Sequence, residues 1–233
     1  GQVEVRASQP VGDPRAQRRA PGTTDNLQVR VEWPNVPVAA RTSPGRTPCN
    51  TPRAPLVAPT TTWGVPDALV IVDGAPPADP PPAPHVTLAD CALAPRVIAG
   101  GPTLAITSAA DRPAALALRK HGLATDLAHL TPGAPTAIQL PIAGHTVTTA
   151  LDAGAIYALA TDASEPELAY IAALPGAAVT EASGQVTLRH LAVGAHAVTA
   201  WLPPRAGQPA RLGRATAKVS AGELAEVTVS FAP

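Results

Sequence analysis

The sequence predicts an all-β protein built as two tandem β-sandwiches behind an extended N-terminal arm. Three observations carry this expectation. The chain holds 29 Pro and 18 Gly in 233 residues, and each interior Pro costs a helix about 3 kcal/mol and each Gly about 1, which excludes a helix bundle. Short runs that alternate apolar and polar residues, or are apolar throughout, recur between Gly, Pro and Asp. The length exceeds one ordinary sandwich of about 100 residues and suits two.

Residues 1–26 read as the arm, with Arg15, Arg18 and Arg19 among Pro, Gly, Gln and Thr. Such a composition buries little and is expected to order only against a partner. A first strand is predicted over Leu27–Trp33, where Leu27, Val29 and Val31 alternate with Gln28, Arg30 and Glu32. Pro34 to Pro59 reads as a non-helical stretch around Cys49, Ala68–Val72 as a fully buried strand and Pro76–Pro84 as a polyproline-type loop. Further strands are expected at Val86–Leu88, Arg96–Ala99, Thr103–Thr107, Ala114–Leu118, Thr136–Leu140, Thr146–Leu151 and Ala155–Ala160. Leu116–Leu130 offers the one helical pattern. A second set follows at Ala177–Thr180, Gln185–His190, Ala195–Leu202, Arg214–Val219 and Glu223–Phe231. In the last of these Val227, Val229 and Phe231 should point inward, with Glu226, Thr228 and Ser230 outward. The expected domains are the arm at 1–26, a first sandwich at 27–168 and a second at 169–233.

Charge narrows the function classes. Lys plus Arg and Asp plus Glu each number 17, and charged residues make 15% of the chain, against roughly a quarter in an average domain. A neutral, charge-poor surface argues against nucleic acid and against an anionic membrane face. No apolar run is long enough for a membrane-spanning helix. The chain has no Met and starts at Gly1, so a processed chain is expected, cut from a signal peptide, a tag or a longer precursor. Cys49 and Cys91 are the only cysteines. In an exported chain they read as one disulfide, the competing reading being two unrelated buried thiols. Closing a loop of roughly 43 residues is worth about 4 kcal/mol in the chain-entropy account.

From Cys49 to Pro233 the order of segments resembles bacterial exported proteins that join a plastocyanin-like (cupredoxin) domain to a carboxypeptidase regulatory-like module. The segments are Cys49, the strand Ala68–Val72, Cys91-Ala-Leu-Ala-Pro95, Gly101-Pro-Thr-Leu-Ala-Ile106, Ile138-Gln-Leu-Pro-Ile-Ala-Gly144 and Leu151-Asp-Ala-Gly154. Ala169-Tyr-Ile171, Ala177-Ala-Val-Thr180, Gly184-Gln-Val-Thr-Leu188 and Gly194 to Trp201 follow the second module. The resemblance implies a blue-copper site, which needs a thiolate, two imidazoles and usually a weak axial Met. This chain departs from that set at every position. Ala115 stands at the place of the first His, Thr161 at the Cys, Ser164 at the second His and Glu167 at the Met. No metal and no cofactor are therefore expected.

Other constellations are thinner. His190 and His196 flank the turn predicted at Ala192–Gly194 and would face each other across a hairpin, which supplies two ligands at most. His196 also holds a place where the related module carries Tyr, a packing role. His85, His121, His129 and His145 sit without ligand spacing. Asp162, Glu165 and Glu167 form an acidic loop that lacks the six to eight oxygens of a Ca²⁺ site. Trp33 and Trp63 are candidates for stacking on a sugar, whereas Trp201 matches a core position. No Gly-x-Ser-x-Gly, His-Glu-x-x-His or phosphate-binding glycine loop is present. The expected function is thus a non-catalytic, exported binding or structural protein of the periplasm or cell surface. It would act as an accessory component whose partners are other protein subunits, the arm suiting that role. The alternatives are a copper-binding electron carrier and a glycan-binding module.

Overall fold

A computed structural model describes residues 26–57, 63–77, 80–162, 166–205 and 207–232. The predicted arm lies outside them, apart from Asn26. The first two strands are β1 (Asn26–Glu32) and β2 (Leu69–Val72). The middle of the chain supplies β3 (His85–Ala89), β4 (Ala92–Ala94), β5 (Val97–Ala99), β6 (Thr103–Ser108) and β7 (Ala114–Leu123). It continues with β8 (Pro135–Leu140), β9 (Thr146–Ala150), β10 (Ala155–Thr161) and β11 (Leu168–Ala172). The last strands are β12 (Ala178–Val179), β13 (Gln185–Leu188), β14 (Gly194–Leu202), β15 (Arg211–Val219) and β16 (Leu224–Ser230).

These strands form four sheets that stack as two sandwiches. Sheets β13-β1-β16 and β12-β2-β14-β15 enclose Leu27, Val29, Val31, Val70, Val198 and Phe231. Sheets β4-β3-β6-β9 and β5-β11-β10-β7-β8 enclose Leu104, Ile106, Leu116, Leu140, Leu159 and Ile171. Phe231, Val229 and Val227 do turn inward, and Glu226, Thr228 and Ser230 are exposed.

The pairing runs across the expected division at residues 168 and 169. β1, read as the opening strand of the first sandwich, lies between β13 and β16, and β2 lies between β12 and β14. β2 and β12 pair antiparallel with Val70 opposite Ala178. Residues from β3 to β11 are therefore an insertion between two neighbouring strands of the other sandwich. Alternation in β1 states only that one face must be covered. It does not state which strands cover it.

Four local expectations are corrected. Val38–Arg41 makes one helical turn, α1, inside the stretch read as non-helical; its four residues contain no Pro, and Pro37 before them carries no amide that the turn needs. The helical pattern at Leu116–Leu130 gives way to β7 and a single 3₁₀ turn at Ala124–Asp126, because β8 and β10 hydrogen-bond β7 along both edges. β11 was not expected as a strand. The hairpin expected to join His190 and His196 does not form, since β13 pairs with β1 and β14 pairs with β2 and β15.

Candidate functional site

Several strands are buried on both faces, and this locates the seam between the sandwiches. In β10, Tyr157 and Leu159 enter the core of the insertion, while Ile156 and Ala158 enter a separate cluster with Leu69, Val97, Tyr170 and Trp201. Leu69 and Trp201 come from the interrupted sandwich, so this cluster glues sheet to sheet. The Tyr170 ring meets Trp201 edge-on at 5.6 Å and His121 at 5.9 Å. Such edge-to-face pairs add about 0.5–1.5 kcal/mol beyond burial. Burial pushes the Tyr170 phenol up to about 12, and burial together with Arg119 lowers the His121 pKa.

Beside this cluster opens a cleft of about 780 Å³. One wall is the segment after α1, through Thr42, Arg53 and Leu56; the other is Arg96, Glu167 and Tyr170. Two ion pairs cross it. Arg53 pairs with Glu167, both side chains mostly buried, and Arg96 Nη2 donates to Asp67 Oδ2 at 2.6 Å. Burial strengthens the attraction but also costs each ion its water, so the pairs hold elements together more than they add net stability. A second hollow of about 900 Å³ adjoins the cleft, floored by Ala115, Ala117, Ala137 and Ala160 and edged by Arg119 and His121. Pro166, Leu168, Tyr170 and Pro204 border both.

Of the four places named from the copper pattern, Thr161 and Glu167 are bonded to each other, and Ala115 is next in the chain to the residue paired with Thr161. Ala115 lies on β7 beside Leu116, which is opposite Thr161 at the end of β10. Thr161 Oγ1 accepts from the Glu167 amide at 2.9 Å, and the Thr161 amide donates to the Glu167 carbonyl at 3.0 Å. Ser164 lies outside the described residues, as does Glu165. Cys49 and Cys91 are joined as a disulfide with their Cα atoms 5.5 Å apart. Among the described residues, no three His, Cys, Asp or Glu side chains gather where they would hold a metal ion. Nor is any helix among them long and apolar enough to cross a membrane.

The remaining candidates are scattered. His190 is exposed with φ of 60°, while His196 is buried, its two ring nitrogens each 2.7 Å from a backbone oxygen, of Asp73 and of Ala192. His85 bonds Thr107 at 2.8 Å, and His129 bonds Asp126 at 2.7 Å on the surface. Trp33 is fully buried under the Arg211 guanidinium, 3.8 Å from its ring centre, and offers no face to a sugar. Trp63 is half-buried with Arg41 5.1 Å above it. Trp201 is a core residue. Arg53, Arg96, Asp67 and Tyr170 escaped the sequence reading. Arg53 and Glu167 are 114 residues apart, and no spacing rule joins them.

Fold and site together define an all-β protein of two stacked sandwiches with an ion-paired cleft at their seam. No family model matches the chain, and it matches neither a curated protein nor a solved structure.

Proposed function

We propose that this is a non-catalytic, exported binding protein, an accessory or surface component of a larger protein assembly, which receives its partner at the seam cleft. The insertion is read as a cupredoxin-like Greek-key sandwich and the interrupted sandwich as a carboxypeptidase regulatory-like one. The observation that carries the reading is the use made of the copper-equivalent places. Thr161, at the Cys place, closes a loop by bonding Glu167. Glu167, at the Met place, is held by Arg53. Both positions serve the joint between elements, and neither residue type is a blue-copper ligand. A cleft between two sandwiches, largely apolar with a few oriented charges, suits recognition. The disulfide fits an oxidising compartment.

The test is native isolation followed by size-exclusion chromatography and elemental analysis. The protein should co-elute with other polypeptides and carry no stoichiometric copper. Elution as a lone chain under gentle extraction overturns the assembly reading. Copper at one ion per chain with an intense blue band would favour the electron carrier instead.

A further inference from the structure

The segment that walls the cleft has an unusual attachment. Val36, Ala40, Leu56 and Val57 are buried in the core of the interrupted sandwich, and the Val57 amide donates to the Ala40 carbonyl at 3.1 Å. These contacts fix the two ends of residues 41–55 side by side. Between them the chain leaves the core as a hairpin with its own bonds: Arg53 N to Gly45 O at 2.9 Å, Thr47 N to Thr51 O at 2.8 Å and Asn50 N to Thr47 O at 2.9 Å. Cys49 is exposed at its tip. Its partner Cys91 sits on the insertion, in the turn between β3 and β4. The hairpin therefore starts on one sandwich and is bonded covalently to the other.

We propose that residues 42–55 are a strap across the seam cleft and that the Cys49–Cys91 disulfide is its latch, so that the thiol or disulfide state of this one bond sets access to the cleft. The inference rests on reading the cleft as the binding site. Thr42, Pro44 and Arg53 form the strap's underside and line the cleft. Noncovalent ties to the insertion include Thr47 Oγ1 to Asp90 O at 3.3 Å and the Arg53–Glu167 pair. With the disulfide intact these groups are held at high effective concentration. Once it opens, each must re-form against the freedom of a hairpin anchored only at its base. Departure of the strap removes one wall of the cleft and takes Arg53 from Glu167.

The reductant is a dithiol. Its thiolate attacks the Cys49 sulfur, and Cys91 leaves as a thiolate. The second thiol of the reductant then resolves the mixed disulfide and frees Cys49. The protein disulfide gains two electrons and, with two protons, becomes two thiols, while the dithiol is oxidised to its own disulfide.

The experiment compares trypsin digestion of the intact chain, oxidised and after dithiothreitol treatment, with a Cys49→Ser/Cys91→Ser variant as the second arm. Cleavage after Arg46 and Arg53 should accelerate at least tenfold in the reduced protein and in the variant, with far-ultraviolet circular dichroism unchanged. Equal rates in all forms overturn the proposal, since the strap would then be held without the bond. Loss of the β signal on reduction and in the variant overturns it as well, because the disulfide would then staple the fold. No ligand enters this assay. Its failure leaves the binding reading standing, and failure to find a partner leaves the latch standing.

Discussion

Both ring nitrogens of His196 face backbone oxygens, and an oxygen of that kind only accepts. An imidazole donates twice only as the cation. The bond to Asp73 first, and that to Ala192 second, raise the His196 pKa above its ordinary 6.5 against the opposing effect of burial. The sign follows from linkage: the stabilisation is complete below the ordinary value and is lost as pH rises through the raised one. Replacing His196 by Gln should cost about 1–2 kcal/mol at pH 5.5 and less at pH 8.5. Urea midpoints of both proteins at the two pH values check this, and equal differences at both would refute the assignment. Gly184 invites a second test at a single position. It has φ of 75°, and a Cβ there would stand 2.5 Å from the Val65 amide nitrogen, whereas Gly207 has φ of 79° with nothing within 4 Å. Gly184→Ala should therefore cost about 3 kcal/mol or more and Gly207→Ala about 1, both read from denaturant curves.

β10 and β11 explain why some strands carry unbroken apolar runs while others alternate. Their odd and even residues enter different clusters, one within the insertion and one at the seam. β1 and β16 have one face turned to solvent and alternate accordingly. Two alanines on the even-numbered face of β10 have different surroundings. Ala158 is 3% exposed and faces the seam; Ala160 is half-buried at the floor of the adjoining hollow. Ala158→Asp places an unpaired carboxylate between the sandwiches and should cost about 3 kcal/mol or more, with altered Trp fluorescence as Trp201 loses its packing. Ala160→Asp should stay within about 1 kcal/mol. Equal penalties would mean that the seam is wetter than its packing implies.

An insertion between β2 and β12 couples the folding of the two sandwiches. The ends of residues 72–178 must come together before Val70 can pair with Ala178, and the seam cluster draws Leu69 and Trp201 from one sandwich and Ile156 and Tyr170 from the other. Neither sandwich completes its burial alone. Scanning calorimetry should show one transition whose calorimetric and van't Hoff enthalpies agree. Two resolved transitions would show that the seam does not couple them.

Local chemistry made much of this protein legible before any tertiary contact. The inward Val227, Val229 and Phe231, most strand positions and the Cys49–Cys91 pairing follow from alternation, breakers and cysteine count. α1 escaped notice because a single turn carries no stripe. What only the tertiary structure decided is partnership: that β1 and β2 join the C-terminal strands, that Arg53 meets Glu167, and that a cleft lies where the sandwiches meet. The physical reason is range. A strand's period records which of its faces is covered, because side chains alternate along the chain itself. The identity of the covering strand depends on contacts between residues far apart in sequence, and those leave no local periodic trace.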